Sequence, residues 1–352
     1  MTETRQVSDK NFLRQFQSSF SLDRRLFAAA IYANTAYCNT LFHAGILNRQ
    51  EAERIKNGLS TILKRADYDR NYFEQTEAEN VHSFIEGRLV QLVGEIAAKL
   101  KFGRTVEEQT LTALRIWLRK QIVEVSGQIK KLQREILRSA ESKYEFFFIE
   151  KEREVYFAEW CIGYFEICQQ DCERLDEVWR RVNVFSRIAK EDGEQHEEID
   201  YEEFSQQLKF EGIVEGNSSF AFDFALEYVN ASAILMLHLA RLAEDLKTLA
   251  KDSDYSSILE IFREKTSRIF GCQTSLQTLL INLRLKQNFS EILNAVFETY
   301  EITKICLEAM KNVLGNLEFN EETLKVYNLS EERRKEISEM IENVRMELKT
   351  EE

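Results

Sequence analysis

Proline is absent from this 352-residue chain. Ordinary usage of about 5% would supply on the order of seventeen. Without it there is no cis-proline turn and no rigid proline-gated loop. With only 12 glycines as well, the chain carries little turn punctuation, which favours long helices over sheets.

The apolar periodicity agrees. From Leu111 the apolar positions run Leu114, Leu118, Ile122, Val125, Ile129, Leu132 and Ile136, in steps of three and four. That is one stripe of roughly 40 Å at 1.5 Å per residue. A second stripe runs Phe224, Tyr228, Ala231, Leu235, His238, Leu242, Leu246 and Leu249. Helices this long must cover their stripes with other long helices, so a bundle of coiled-coil-like seams is expected. The blocks Glu154–Arg187 and Asn288–Leu314 read as further members. The first hundred residues read as shorter helices, with Asn48 as an N-cap and Gly45 ending the helix before it. EDGEQHEEIDYEEF (191–204) reads as an acidic loop entering a short helix, and Ser330 as the cap of a charged terminal helix. The expected fold class is all-α, divided into an N-terminal helical domain (1–105), a long-helix bundle serving as oligomerisation core (106–315) and a short charged tail (316–352).

Composition narrows the function. With 44% hydrophobic and 30% charged residues the chain can bury a large core and is neither disordered nor built like a membrane protein. No run of eighteen or more apolar residues occurs, and MTETRQVSDKNF lacks the apolar region of a signal peptide. Six cysteines then suggest reduced thiols and a cytoplasmic protein. A net charge of −13 argues against nucleic acid or an anionic membrane as the main partner.

Five ordered segments resemble one family. LDRRLFAAAIYANTAYCNTLFHAGILNRQEAERIKNGLSTIL (22–63), ENVHSFIEGRL (79–89), AAKLKFGRTVEEQTLTALRIWLR (97–119), DCERLDEVWRRVNV (171–184) and FDFALEYVNASAILMLHLARLAEDL (222–246) are similar to argininosuccinate lyases of the fumarase/aspartase superfamily. The resemblance implies a small helical first domain, a central five-helix bundle forming a twenty-helix tetramer core, and active sites shared between three subunits. It implies elimination of fumarate from argininosuccinate: a loop serine removes a proton beside a carboxylate, and a lysine and amides hold the dianion.

Set against the family pattern, the packing positions are kept and the chemical ones are changed. The serine loop, G-S-S-x-M-P-Q-K-K-N-P in the family, has no counterpart between Arg241–Leu246 and Glu264–Gly271, where only KTLAKDSDYSSILEIFR stands. Ser256 and Ser257 are adjacent serines without that context. The T-H-L-Q segment aligns with Phe147, Phe148, Ile149 and Glu150. The K-L-H-T-G-R-S-R-N-D-Q signature becomes Lys99 to Gln109, keeping Arg104 and Gln109 and gaining Glu107 and Glu108, two carboxylates that would repel a dicarboxylate. The D-I-x-G-S element becomes Ala30 to Asn34, and S-D-R-D-F becomes Phe220 to Phe224.

What remains as candidate ligand-binding residues is Asn34, His82, Arg104, Glu107, Glu108 and Gln109; no catalytic residue, metal or cofactor is expected. His82 is read either as a surviving ligand contact or as a structural histidine, and His238 as a hydrogen-bonded core residue. Cys161, Cys168 and Cys172 share a helical face and read as packing. The aromatic run 144–160 reads as core filling a vacated cleft or as a surface for a partner protein. The primary expectation is a pseudoenzyme, a binding, regulatory or structural subunit that assembles with itself or with an active paralogue, with a small amino acid-derived compound as a candidate ligand. The alternatives are a repurposed enzyme on the same fold, such as a C–N lyase, or residual argininosuccinate lyase activity.

Overall fold

The computed structural model describes residues 19–74, 76–188, 198–216, 221–251, 254–281, 289–320, 322–326 and 329–350. The fold is all-α with small sheet additions. In chain order its main elements are α1 (Phe27–His43), α2 (Arg49–Tyr68), α3 (Val81–Val93), α4 (Val106–Ser142), β1 (Phe146–Glu150), β2 (Arg153–Tyr156), α5 (Phe157–Val182), β3 (Phe185–Ile188), α6 (Tyr201–Gln207), β4 (Ile213–Gly216), α7 (Asp223–Leu249), α8 (Asp254–Ile281), α9 (Phe289–Asn316), β5 (Lys325–Val326) and α10 (Glu331–Thr350). One turn of helix at Phe20–Asp23 and 3₁₀ turns at Arg24–Leu26 and Gly94–Lys101 complete the set. Among the described residues, no helix is long and apolar enough to cross a membrane.

The chain divides into two compact units, each drawn from three stretches: Met1–Lys120, Arg180–Phe224 and Leu279–Asn294 in the first, and Gln121–Trp179, Ala225–Thr278 and Ala295–Glu352 in the second.

In the first unit the helix starts are written locally. Asn48 accepts from the Glu51 amide at 3.0 Å while the Glu51 carboxylate accepts from the Asn48 amide, a full capping box on α2. Asn80 and Ser83 repeat it on α3. The α2–α3 crossing is close at Gly58, where a Cβ would stand 2.6 Å from Leu89 Cδ1. Phe20, Phe27, Tyr72, Phe73 and Phe84 form an aromatic cluster beside it. Asp23 stitches this corner together, its buried carboxylate accepting from the Val81 amide (3.0 Å) and the Ser19 hydroxyl (2.8 Å).

Two arginines one turn apart on α4 hold the far side of this unit. Arg115 donates to the carbonyls of Arg181 (2.8 Å) and Val182 (3.2 Å), the open end of α5. Arg119 donates to the carbonyls of Leu208 and Lys209, just past α6, and to Asn183. Each guanidinium also lies over a phenylalanine, Arg115 over Phe224 and Arg119 over Phe210. β3 and β4 pair in parallel, Phe185 opposite Ile213 and Ile188 opposite Gly216.

In the second unit the stripe from Ile122 to Ile136 is buried, as are the apolar members of the α7 stripe from Ala231 to Leu249. Gln133 donates to the Phe165 carbonyl from within that core. His238 is hydrogen-bonded through Nδ1 to the buried Asp171 carboxylate at 2.8 Å, and Arg174 donates to the other oxygen. The block expected to be helical from Glu154 to Arg187 is helix only over α5. Its first residues belong to β2, which pairs with β1 as an antiparallel hairpin, and its last to β3. The aromatic and β-branched run FFFIE suits a pleated strand better than a helix, and the turn is made by Lys151 and Glu152 at positive φ. β5 adds a third strand on the other edge of β1. The charged tail forms α10, with Ser330 as cap; it buries Ile337, Ile341, Val344 and Leu348 and pairs Arg333 with Glu159, Arg334 with Glu145 and Arg345 with Glu141.

Candidate functional site

The site lies within the first unit, where the turn preceding α4 meets α1 and α3. Gly103 takes φ +71°, a left-handed conformation that a glycine adopts freely. The Tyr37 hydroxyl donates to the Phe102 carbonyl at 2.6 Å and the Tyr201 hydroxyl to the Gly103 carbonyl at 3.2 Å, so the turn is fixed from both sides. Thr105 caps α4, accepting from the Glu108 amide.

This geometry takes Arg104 inward. Its side chain is 1% exposed and faces Glu108, 3% exposed, with Nε 3.5 Å from the carboxylate. Its Nη1 donates to Asn34 Oδ1 at 3.3 Å, and the guanidinium carbon lies 4.6 Å from the Tyr37 ring centre and 5.3 Å from that of Phe204. Burial lowers the Arg104 pKa from its ordinary value, and the Glu108 charge works against that shift. The two lysines of the same stretch are also engaged, Lys99 with Glu51 at 2.7 Å and Lys101 with Glu86 at 2.6 Å.

His82 is buried on α3. The Thr110 hydroxyl donates to the Val106 carbonyl at 2.8 Å, so the 3.1 Å contact between Thr110 Oγ1 and His82 Nε2 is one in which the imidazole donates. That places the proton on Nε2 and leaves Nδ1 as a buried acceptor with no partner among the described residues. Burial, with the Arg104 charge second, pushes the His82 pKa down to about 3, so the ring is neutral.

A cavity of about 90 Å³ opens beside these groups, bordered by Asn34, His82, Ser83, Glu86, Lys101 and Gln109, among others. Three of the residues expected from the sequence, Asn34, His82 and Gln109, therefore share one cavity. Arg104 is joined to its wall through Asn34 and Glu108 pairs with Arg104, while Arg104, Glu107 and Glu108 are not among the residues that border it. Glu108 turns out to be the counter-ion of Arg104 rather than a free repelling charge. Sequence reasoning missed Asn80, Ser83 and Thr110. The first two were legible only as an N-cap pair, and Thr110 carried no signal.

The other expected positions fall elsewhere. Phe147 and Phe148 lie in β1 of the second unit, both buried, Phe148 edge-on to Trp160. Phe220 and the side chains of Ser256 and Ser257 lie outside the described residues. The six cysteines are free and buried.

Comparison with known proteins gives the class. A family described as lyase matches residues 3–267. Argininosuccinate lyase of Nostoc sp. strain PCC 7120 is 31% identical over 340 residues, covering 88% of this chain and 73% of its own. Argininosuccinate lyase of Gloeothece citriformis is 30% identical over 364 residues, covering 92% and 78%. The chain belongs to the lyase family, as an argininosuccinate lyase-like member of the fumarase/aspartase superfamily. Solved structures share the fold at low identity. EDDS lyase in complex with formate has a TM-score of 0.70 at 19% identity, covering 86% of this chain. A fumarate lyase from Mesorhizobium sp. BNC1 has a TM-score of 0.70 at 18% identity, covering 91% and 78%. The chain spans 65% of the length of the EDDS lyase chain.

Proposed function

We propose that this chain is a non-catalytic relative of argininosuccinate lyase, acting as a binding, regulatory or structural subunit. The observation that carries this reading is the fate of the cations at the lyase signature: Lys99, Lys101 and Arg104 are each paired with a carboxylate of the same unit. A site that grips a dicarboxylate substrate needs cations available to it, and this buried guanidinium already faces the Glu108 carboxylate at 3.5 Å. The neutral His82 fits the same picture, since an imidazole with a pKa near 3 is a poor proton carrier at neutral pH.

Assembly is part of the proposal. Exposed apolar side chains on the long helices of the second unit, Val123, Ile234, Phe270 and Ile305, suit a homo-oligomer, by family resemblance a tetramer, or a hetero-oligomer with an active paralogue. The division into an N-terminal domain, an oligomerising bundle and a short tail belongs to the same proposal.

The test is direct. Purified chain incubated with argininosuccinate is expected to release no fumarate above the blank, followed at 240 nm, and to run as an oligomer in native mass spectrometry. Sustained fumarate release by the chain alone refutes the non-catalytic reading.

A further inference from the structure

The second unit holds a carboxylate that meets no cation. Trp160 and Tyr164 stand one turn apart on α5, their ring centres 5.0 Å apart at 67°. Both donate to the same oxygen of Asp245 on α7, Trp160 Nε1 at 3.2 Å and the Tyr164 hydroxyl at 2.7 Å from Oδ2. Phe157 stacks on the indole and Phe148 meets it edge-on. Trp160, Tyr164 and Asp245 are all part-exposed. Asp245 Oδ1 takes no hydrogen bond among the described residues and is not a buried orphan, so it faces solvent. Between the two aromatic residues stands Gly163, where a Cβ would have nothing within 4 Å.

The charge on Asp245 is left over by its surroundings. Both of its donors are neutral; burial, and then the carboxylate itself, raise the Tyr164 pKa, so the phenol keeps its proton. Of the nearby cations, Lys247 is paired with Glu260 and Arg263 with Glu244. Arg241 is exposed, one turn earlier on α7, and forms no ion pair with Asp245; an acid four residues after a base is the weaker helical order. Its field at Tyr164 is opposed by that of Glu150. A cation at Oδ1 therefore gains a carboxylate already held in place by two donors, and an alkyl stem behind it gains aromatic surface. Trp and Tyr are also the residue types that dominate protein docking surfaces. An open face gives a free small amine little to offset its lost motion, whereas a folded partner delivers its side chain already tethered. The net charge of −13 favours a basic partner.

We propose that Trp160, Tyr164 and Asp245 form a docking point for a lysine side chain of a basic partner protein, its ammonium on Asp245 Oδ1 and its stem against the two rings. This goes beyond the non-catalytic reading. It concerns the second unit alone and stands whether or not the chain releases fumarate.

The probe is Nα-acetyl-lysine methylamide, compared with its Nε-acetylated form, which keeps the stem and loses the charge. The full-length protein, labelled with ¹⁵N-tryptophan, gives an indole N–H signal for each of its 3 tryptophans, and a Trp160→Phe variant assigns that of Trp160. The blocked lysine is expected to move the Trp160 signal saturably, with an affinity that falls as sodium chloride is added. The Nε-acetylated form at matched concentration is expected to leave the signal in place. Asp245→Asn keeps an acceptor for Trp160 and Tyr164 while removing the charge, and is expected to weaken binding roughly fivefold. An equal shift with the Nε-acetylated form, an affinity unchanged by salt or by Asp245→Asn, or no saturable shift at all, as when a second copy of the chain covers this face, overturns the proposal.

Discussion

Replacing Asp23 by Asn tests how the N-terminal corner is held. The Asp23 carboxylate is 3% exposed and accepts two hydrogen bonds, from the Val81 amide and the Ser19 hydroxyl. Burial raises its pKa from 3.8 to about 6, and those two hydrogen bonds pull the other way. The folded protein therefore binds this proton more tightly than the unfolded chain does. The corner is at full strength below pH 4, weakens as the pH climbs towards 6, and is then constant. A shift of this size corresponds to about 3 kcal/mol of lost stability at pH 7, at about 1.4 kcal/mol per pH unit. Asparagine reproduces the neutral form: its Oδ1 still accepts from Val81, and its amide can donate to Ser19. Asp23→Asn is thus expected to match the parent at pH 4 and to exceed it by up to about 3 kcal/mol at pH 7. Urea unfolding of both proteins at the two pH values, with unchanged m, measures the difference. A variant no more stable than the parent at pH 7 refutes the reasoning, because the charged hydrogen bond from Val81 then outweighs the burial cost.

Two further outcomes follow from packing. Arg115→Met keeps an apolar stem over Phe224 but strips the carbonyls of Arg181 and Val182 of their donor. A loss of about 2 kcal/mol is expected in urea unfolding, and an unchanged midpoint would show that water caps α5 equally well. Gly58→Ala puts a Cβ 2.6 Å from Leu89 Cδ1 and 3.2 Å from Val93 Cγ1, so overpacking of about 1–3 kcal/mol opposes a helix-propensity gain of about 1 kcal/mol. A net loss is expected, and adding Leu89→Ala should cost less in this background than in the parent; simple additivity counts against the close crossing.

What the sequence made legible was whatever is decided within a turn or two of chain. Asn48, Gly45 and Ser330 work as read, because a cap and its partner lie three residues apart. The apolar members of the α4 and α7 stripes are buried as their spacing demands. The hairpin of β1 and β2 was missed, since a short aromatic run has no period that separates strand from helix. The candidate site was half legible. Family resemblance pointed to Asn34, His82, Arg104 and Gln109, but not to what each would face. That depends on partners far along the chain: Arg104 on Asn34, 70 residues away, and Tyr37 on the Phe102 carbonyl, 65 away. The role of Glu108 was misjudged for a related reason. An acidic residue four places after an arginine reads as a charge added to a site, and only the inward turn at Gly103 converts the two into a closed pair.

The fastening by Arg115 and Arg119 carries a consequence for how such a chain can drift. Their acceptors are mostly main-chain oxygens at the ends of α5 and α6, and every residue type supplies one. Substitution anywhere along those termini leaves the acceptors where they are, so the scaffold tolerates wholesale change of side-chain chemistry as long as two arginines on a single helix persist.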